Sequence, residues 1–137
     1  MNKTSINNFL ISLLVILFLA SCGGKTNKKR NLDSTLFSYA SSIRWSNFEE
    51  ALKFIKPGEN QIKPSSFELE RLKQFKVSQY SESPISPGAK ENIILQSVEI
   101  QLYNIHNNQT RTIYDHQSWE YDDEYGRWFL ISGLPKL

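Results

Sequence analysis

The chain of 137 residues has one cysteine, Cys22, and two histidines, His106 and His116. A lone thiol cannot close an internal disulfide, so the fold is not disulfide-stapled. Two imidazoles ten positions apart, without a cysteine- and acid-rich set around them, make a weak metal signal, and no metal or other cofactor is expected. A glycine-rich phosphate loop is missing, as is the strand-turn-helix elbow that would set a serine beside a base. Neither nucleotide binding nor triad hydrolysis therefore has a signature. The longest apolar stretch, Phe9 to Ala20, is broken only by Ser12 and holds 12 residues. A helix needs roughly 20 to span a bilayer, so a permanent transmembrane segment is disfavoured.

What is present begins with that stretch. A polar Met1 to Asn8 with one cation, Lys3, precedes it, and small residues Ala20 and Ser21 lead into Cys22. This is a secretory signal layout. The residues alone leave open whether the cysteine is modified or merely follows an ordinary signal. Leu19-Ala20-Ser21-Cys22 resembles the lipobox of bacterial lipoproteins. The resemblance implies cleavage between Ser21 and Cys22, a diacylglyceryl group on the Cys22 sulfur and a further acyl chain on its amine. Two or three buried chains anchor stably where one does not. In that family the residue after the cysteine biases sorting, and Gly23 in place of aspartate implies the outer membrane, facing the periplasm.

Residues 22–31 contain, after Cys22, no apolar side chain, and read as a flexible basic tether. Lys25, Lys28, Lys29 and Arg30 would either meet anionic lipid phosphates or simply be solvated. Removing leader and tether leaves 11 cations against all 14 acids over residues 32–137. A mildly acidic domain without a basic stripe argues against nucleic acid. About 105 residues suffice for one core and are too few for two domains.

Within 32–137, Leu32, Leu36, Tyr39, Ala40 and Ile43 recur at helical spacing after Asp33, which predicts a helix over 33–44. Ser46 and Glu49 have capping-box spacing and predict a second helix over 47–56, with Glu49 and Lys53 paired on its outer face and Pro57-Gly58 ending it. Ser65 and Glu68 repeat the box and predict a third helix to about residue 74. The period then changes from 3.6 to 2. Strands are expected over 76–82, 93–105, 111–121 and 127–132, with a loop at 83–88 and turns at 106–110 and 122–126. Helices followed by an antiparallel meander give an α+β class.

This order, with Trp119-Glu120-Tyr121-Asp122 and Arg127-Trp128-Phe129-Leu130 as a closing hairpin, resembles the nuclear transport factor 2-like, or cystatin-like, superfamily. Ile43-Arg44-Trp45-Ser46-Asn47-Phe48, Trp119 to Asp122 and Ser132-Gly133-Leu134-Pro135 are also similar to segments of a group of small uncharacterised proteobacterial proteins. The superfamily resemblance implies N-terminal helices packed on a curved antiparallel sheet as a cone, commonly enclosing a pocket and often dimerising through the sheet. On the third long strand Ile113, Asp115, Gln117, Trp119 and Tyr121 share a face. If that face is concave, desolvation among aromatics raises the Asp115 pKa towards general acid-base work, with Tyr39 or Tyr121 as a proton donor. The alternative is an outward carboxylate beside core aromatics. The aromatic content, 12%, offers either a stacking surface for a ligand or large rings filling a small core. Three functions follow in order of expectation: a non-enzymatic envelope module binding a protein or small ligand, a pocket enzyme of isomerase or hydrolase type built on Asp115, and a structural envelope component.

Overall fold

The computed structural model describes residues 23–58 and 63–136. The leader 1–21 and Cys22, with the cleavage and lipid sites assigned to them, lie outside the described residues. Helix α1 (Gly23–Arg44) is followed by a short α2 (Phe48–Ala51) that tightens into a 3₁₀ turn (Leu52–Phe54), then by α3 (Ser66–Lys73). Strands β1 (Phe75–Glu82), β2 (Ser86–Pro87), β3 (Ile93–Asn104), β4 (Thr110–Asp122) and β5 (Arg127–Leu130) complete the chain. The class is α+β, as the change of period predicts. No described helix is long and apolar enough to cross a membrane.

The sheet is antiparallel and curled, in the order β1-β3-β4-β5, with β2 pairing β3 beyond the end of β1. Tyr80, Ile100 and Ile113 stand opposite one another across three strands, as do Glu82, Val98 and Asp115. Paired residues share a face. The inner face thus collects Val98, Ile100, Leu102 and Trp119, all buried, against Leu32, Tyr39, Ala40 and Ile43 of α1. A bulge at Ser78, between Val77 and Gln79, adds one residue to β1. Such an insertion bends its strand, and the Ser78 hydroxyl donates to the Gln101 carbonyl at 3.1 Å.

Five local expectations are corrected. Residues 23–31 are helical and continuous with the predicted helix, where a flexible tether was expected. The cost of starting a helix falls on its first turn, so a helix already held by a buried face extends cheaply through Lys, Arg and Asn. The extension is also held from outside. Trp128 Nε1 donates to the Lys28 carbonyl at 3.2 Å, Asn31 donates to the Gly126 carbonyl at 3.0 Å, and the Lys28 ammonium stands 4.3 Å from the Tyr121 ring centre.

The second helix is capped by Asn47, whose side chain accepts from the Glu50 amide, and not by Ser46. Ser46 has φ of 56° and its hydroxyl instead accepts from the Val77 amide at 3.0 Å. The expected run to residue 56 stops at Phe54 because Ile55 turns extended and bridges Leu130. Lys53 pairs with Glu50, three residues away, while Glu49 reaches Lys73 of α3 at 2.8 Å. The Ser65–Glu68 capping box is present as expected, with both reciprocal hydrogen bonds. Strand β5 ends at Leu130, two residues short of the expected 132, although the Ile131 amide still donates to Ser118.

Candidate functional site

The inner face of β4 places Asp115 among the protein's own aromatic and amide groups. Alternation sends Gln117 and Trp119 to the same side, and register sets Tyr80 of β1 on that face, opposite Ile100 and Ile113, from where its hydroxyl reaches Gln117. Gln117 is 1% exposed and is the hub. Its amide nitrogen donates to Asp115 Oδ2 at 2.9 Å and to the Tyr80 hydroxyl at 3.1 Å, and its carbonyl accepts from Trp119 Nε1 at 3.2 Å. A buried primary amide has two donors and an acceptor with two lone pairs, so these bonds use both donors and half of the acceptor.

Above this hub, Tyr39 of α1 lies edge-on to Trp119, with ring centres 5.1 Å apart, and to Phe54 at 5.5 Å. Edge-to-face contact is the arrangement that ring quadrupoles favour. The Tyr39 hydroxyl is fully buried and has no hydrogen-bond partner. Burial, and then the negative field of Asp115, push its phenol well above the ordinary tyrosine value. Tyr80 is raised by burial too, partly offset by the Gln117 bond, and the Arg44 guanidinium stands 5.3 Å from its ring centre.

Asp115 is held above the usual carboxylate range, chiefly by burial, with the Gln117 hydrogen bond pulling the other way. Its neutral form is therefore favoured more in the folded chain than in the unfolded one. The sign for stability follows: the penalty is absent well below the unfolded carboxyl pKa and grows as pH rises through the higher folded value. Asp115→Asn is expected to stabilise the domain at neutral pH, on the order of 1 kcal/mol. The gain over wild type should vanish in acid, where Asp115 is neutral in both states. Thermal unfolding of both proteins from neutral to acidic pH checks this; a pH-independent difference, or a destabilised variant at pH 7, would refute it.

Of the residues singled out in the sequence, Tyr39, Asp115 and Trp119 are brought together. Tyr121 is not: its ring is 5.3 Å from Trp128 and beneath Lys28, further along the strand. His116, next to Asp115 in sequence, projects on the outer face and shares a 2.9 Å hydrogen bond with Ser97 Oγ. His106 lies in the exposed β3–β4 turn, where its backbone amide donates to Asn104 Oδ1 at 2.8 Å. Among the described residues no three His, Cys, Asp or Glu side chains are grouped to hold a metal ion. Sequence reasoning placed Gln117 on the right face without giving it a role, and did not single out Tyr80. Alternation was enough to find the first, whereas the second depends on a strand register that includes the bulge.

Surface concavities reach the margin of this cluster, at Tyr80 in one and at Gln117, beside Pro84, Gln96 and His116, in another, but none of them reaches Asp115. One, of about 340 Å³, sits between α3 and the C-terminal segment and is lined by Lys63, Arg71, Leu72, Leu134 and Lys136. Another, of about 520 Å³, runs between α1 and the edge strand β1 and is lined by Phe37, Arg44, Trp45, Val77 and Tyr80. A third continues past Phe37 and Arg44 to Pro84 and Ile85. Asp115 lines none of these. No protein-family model, no curated protein and no solved structure matches the chain.

Proposed function

We propose that the chain is a lipid-anchored bacterial envelope protein whose α+β domain binds a protein or small ligand and catalyses nothing. The observation that carries the non-enzymatic half is that none of the surface grooves described above is lined by Asp115. Its carboxylate is engaged by Gln117, which also bonds Tyr80 and Trp119, so this acid does a structural job. The surface, by contrast, offers grooves edged by exposed aromatics, which are suited to recognition. The anchoring half is supported by Leu19-Ala20-Ser21-Cys22, and Gly23 after the cysteine supports the outer membrane, facing the periplasm.

The finer fold reading is a nuclear transport factor 2-like cone, supported by helices gathered on the inner face of a curled, bulged antiparallel sheet. In that reading a homodimer would use the outer sheet face, where Tyr114 is exposed. Radioactive fatty acid fed to cells is expected to label the wild type and leave Cys22→Ser unlabelled; equal labelling would sink the anchor.

A second reading, a pocket enzyme, is favoured by one observation only: the unpartnered Tyr39 hydroxyl lies in the field of Asp115. The two separate in cells. If a deletion strain's envelope defect is restored by Asp115→Asn as well as by wild type, the binding module stands; if the variant accumulates but restores nothing, the enzyme reading replaces it.

A further inference from the structure

The outer side of α1 carries a stripe that the core does not use. Arg30, Phe37 and Arg44 are seven residues apart, two helical turns each, and so fall on one line of the helix. All three are exposed, Phe37 by 73%. Trp45, immediately after the helix, is 81% exposed, and Ile85 flanks the same groove. The other two tryptophans, Trp119 and Trp128, are buried.

Charge is segregated onto the same helix, with Arg30 and Arg44 on this line. Helix α1 holds five cations and one acid, Asp33, while residues 45–137 hold ten cations against thirteen acids. The acids facing the stripe are Asp33 on the helix and Glu82, which lies 3.9 Å from Arg44. Lys28 is turned away onto Tyr121. A cationic stripe with aromatic residues beside it has the composition of an interfacial helix face. Anionic headgroups attract each such cation, and a tryptophan ring settles at headgroup depth.

Helix geometry makes this a choice between two arrangements. The helix begins at Gly23, directly after Cys22, and its 22 residues span about 33 Å at 1.5 Å per residue. Standing upright on an anchor at Cys22, it would hold Trp45 about 33 Å above the bilayer. Lying along the surface, it brings Arg30, Phe37, Arg44 and Trp45 to the headgroups together. We infer that α1 lies along the membrane, its outer stripe docked on anionic lipid, so that the domain is fixed side-on to the bilayer rather than swinging from a tether. This rests on the lipid-anchor reading of Cys22.

The test uses the full mature protein, purified from cells and reconstituted into vesicles of phosphatidylethanolamine and phosphatidylglycerol with brominated acyl chains. Trp45 emission is expected to shift to shorter wavelength and to lose most of its intensity. Trp45→Phe should abolish that quenching and still fold, since the ring is exposed. Arg30→Ser with Arg44→Ser, or phosphatidylcholine in place of phosphatidylglycerol, should cut the quenching several-fold. Mass analysis of the N-terminal fragment reports independently whether Cys22 carries lipid. Acylated protein whose Trp45 is untouched by bromolipid and open to aqueous iodide would overturn the docking while sparing the anchor. Protein without acyl chains would overturn the anchor reading and, with it, the docking. Trp45 shielded only when envelope proteins are added would assign the stripe to a protein partner and overturn the lipid assignment.

Discussion

Replacing Gln117 with leucine is expected to destabilise the domain by about 3 kcal/mol, because one change strands several buried groups at once. Asp115 loses its side-chain donor, Trp119 Nε1 loses its acceptor, and the Tyr80 hydroxyl loses the amide. Each orphaned buried group costs roughly 1–3 kcal/mol, more for a charged one. The midpoint of thermal unfolding should fall by more than about 10 °C.

The deficit also has a pH signature. Gln117 lowers the Asp115 pKa by bonding to its charged form, so without it the folded value rises further. Above that value the variant carries an uncompensated charge, and below it the carboxyl is neutral. The loss should therefore shrink as pH falls through the folded pKa of Asp115, and Gln117→Leu combined with Asp115→Asn should recover part of it at pH 7. Urea unfolding of the two variants measures both effects. A cost below about 0.5 kcal/mol would mean that the cluster is not the structural hub described above.

Trp119→Ala is the other large effect, expected to cost about 3–5 kcal/mol. Trp119 has no exposed surface and contacts the rings of both Tyr39 and Phe54, so its removal leaves a void between α1, the 3₁₀ turn and the sheet. Those three layers rest on rigid backbone and cannot fully close over it. A domain of this size has only about 5–15 kcal/mol in total, so the variant should be partly unfolded near physiological temperature. Trp119→Phe keeps most of the volume and loses the bond to Gln117, and should cost clearly less. Because Trp119 touches Gln117, the double variant should be less destabilised than the sum of the singles. Simple additivity in a double-mutant cycle would contradict the shared cluster.

These effects converge on one inner surface, where a half-buried carboxylate lies near two tyrosines. Gln117 bonds Asp115 and, in turn, Tyr80 and Trp119, and burial in this cluster raises the Asp115 pKa. Tyr39 keeps an unpartnered hydroxyl in this cluster. Its ring is nevertheless held in place by two edge-to-face contacts.

The sequence by itself determined what is local. Ser65 and Glu68 satisfy the first turn of α3 between themselves, three residues apart, so no distant partner could change that cap. Alternation along 111–121 put Asp115, Gln117 and Trp119 on one face whatever lay opposite, and the change of period gave the α+β class. The acidic balance of residues 32–137, and Leu19-Ala20-Ser21-Cys22, are likewise properties of residue order alone.

Only the tertiary structure decided which local options were taken up. Ser46 and Glu49 had the spacing of a cap, but Ser46 was drawn to the Val77 amide 31 residues on, and Glu49 to Lys73. Residues 23–31 looked unable to pack because they lack apolar side chains. They are held instead through a backbone carbonyl, an asparagine amide and a lysine on an aromatic face, with all the partners on β4, β5 and the turn between them. Tyr80 joined the cluster because a bulge set its register. In each case a long-range contact outweighed a local preference worth about 1 kcal/mol or less, which spacing along the chain cannot show.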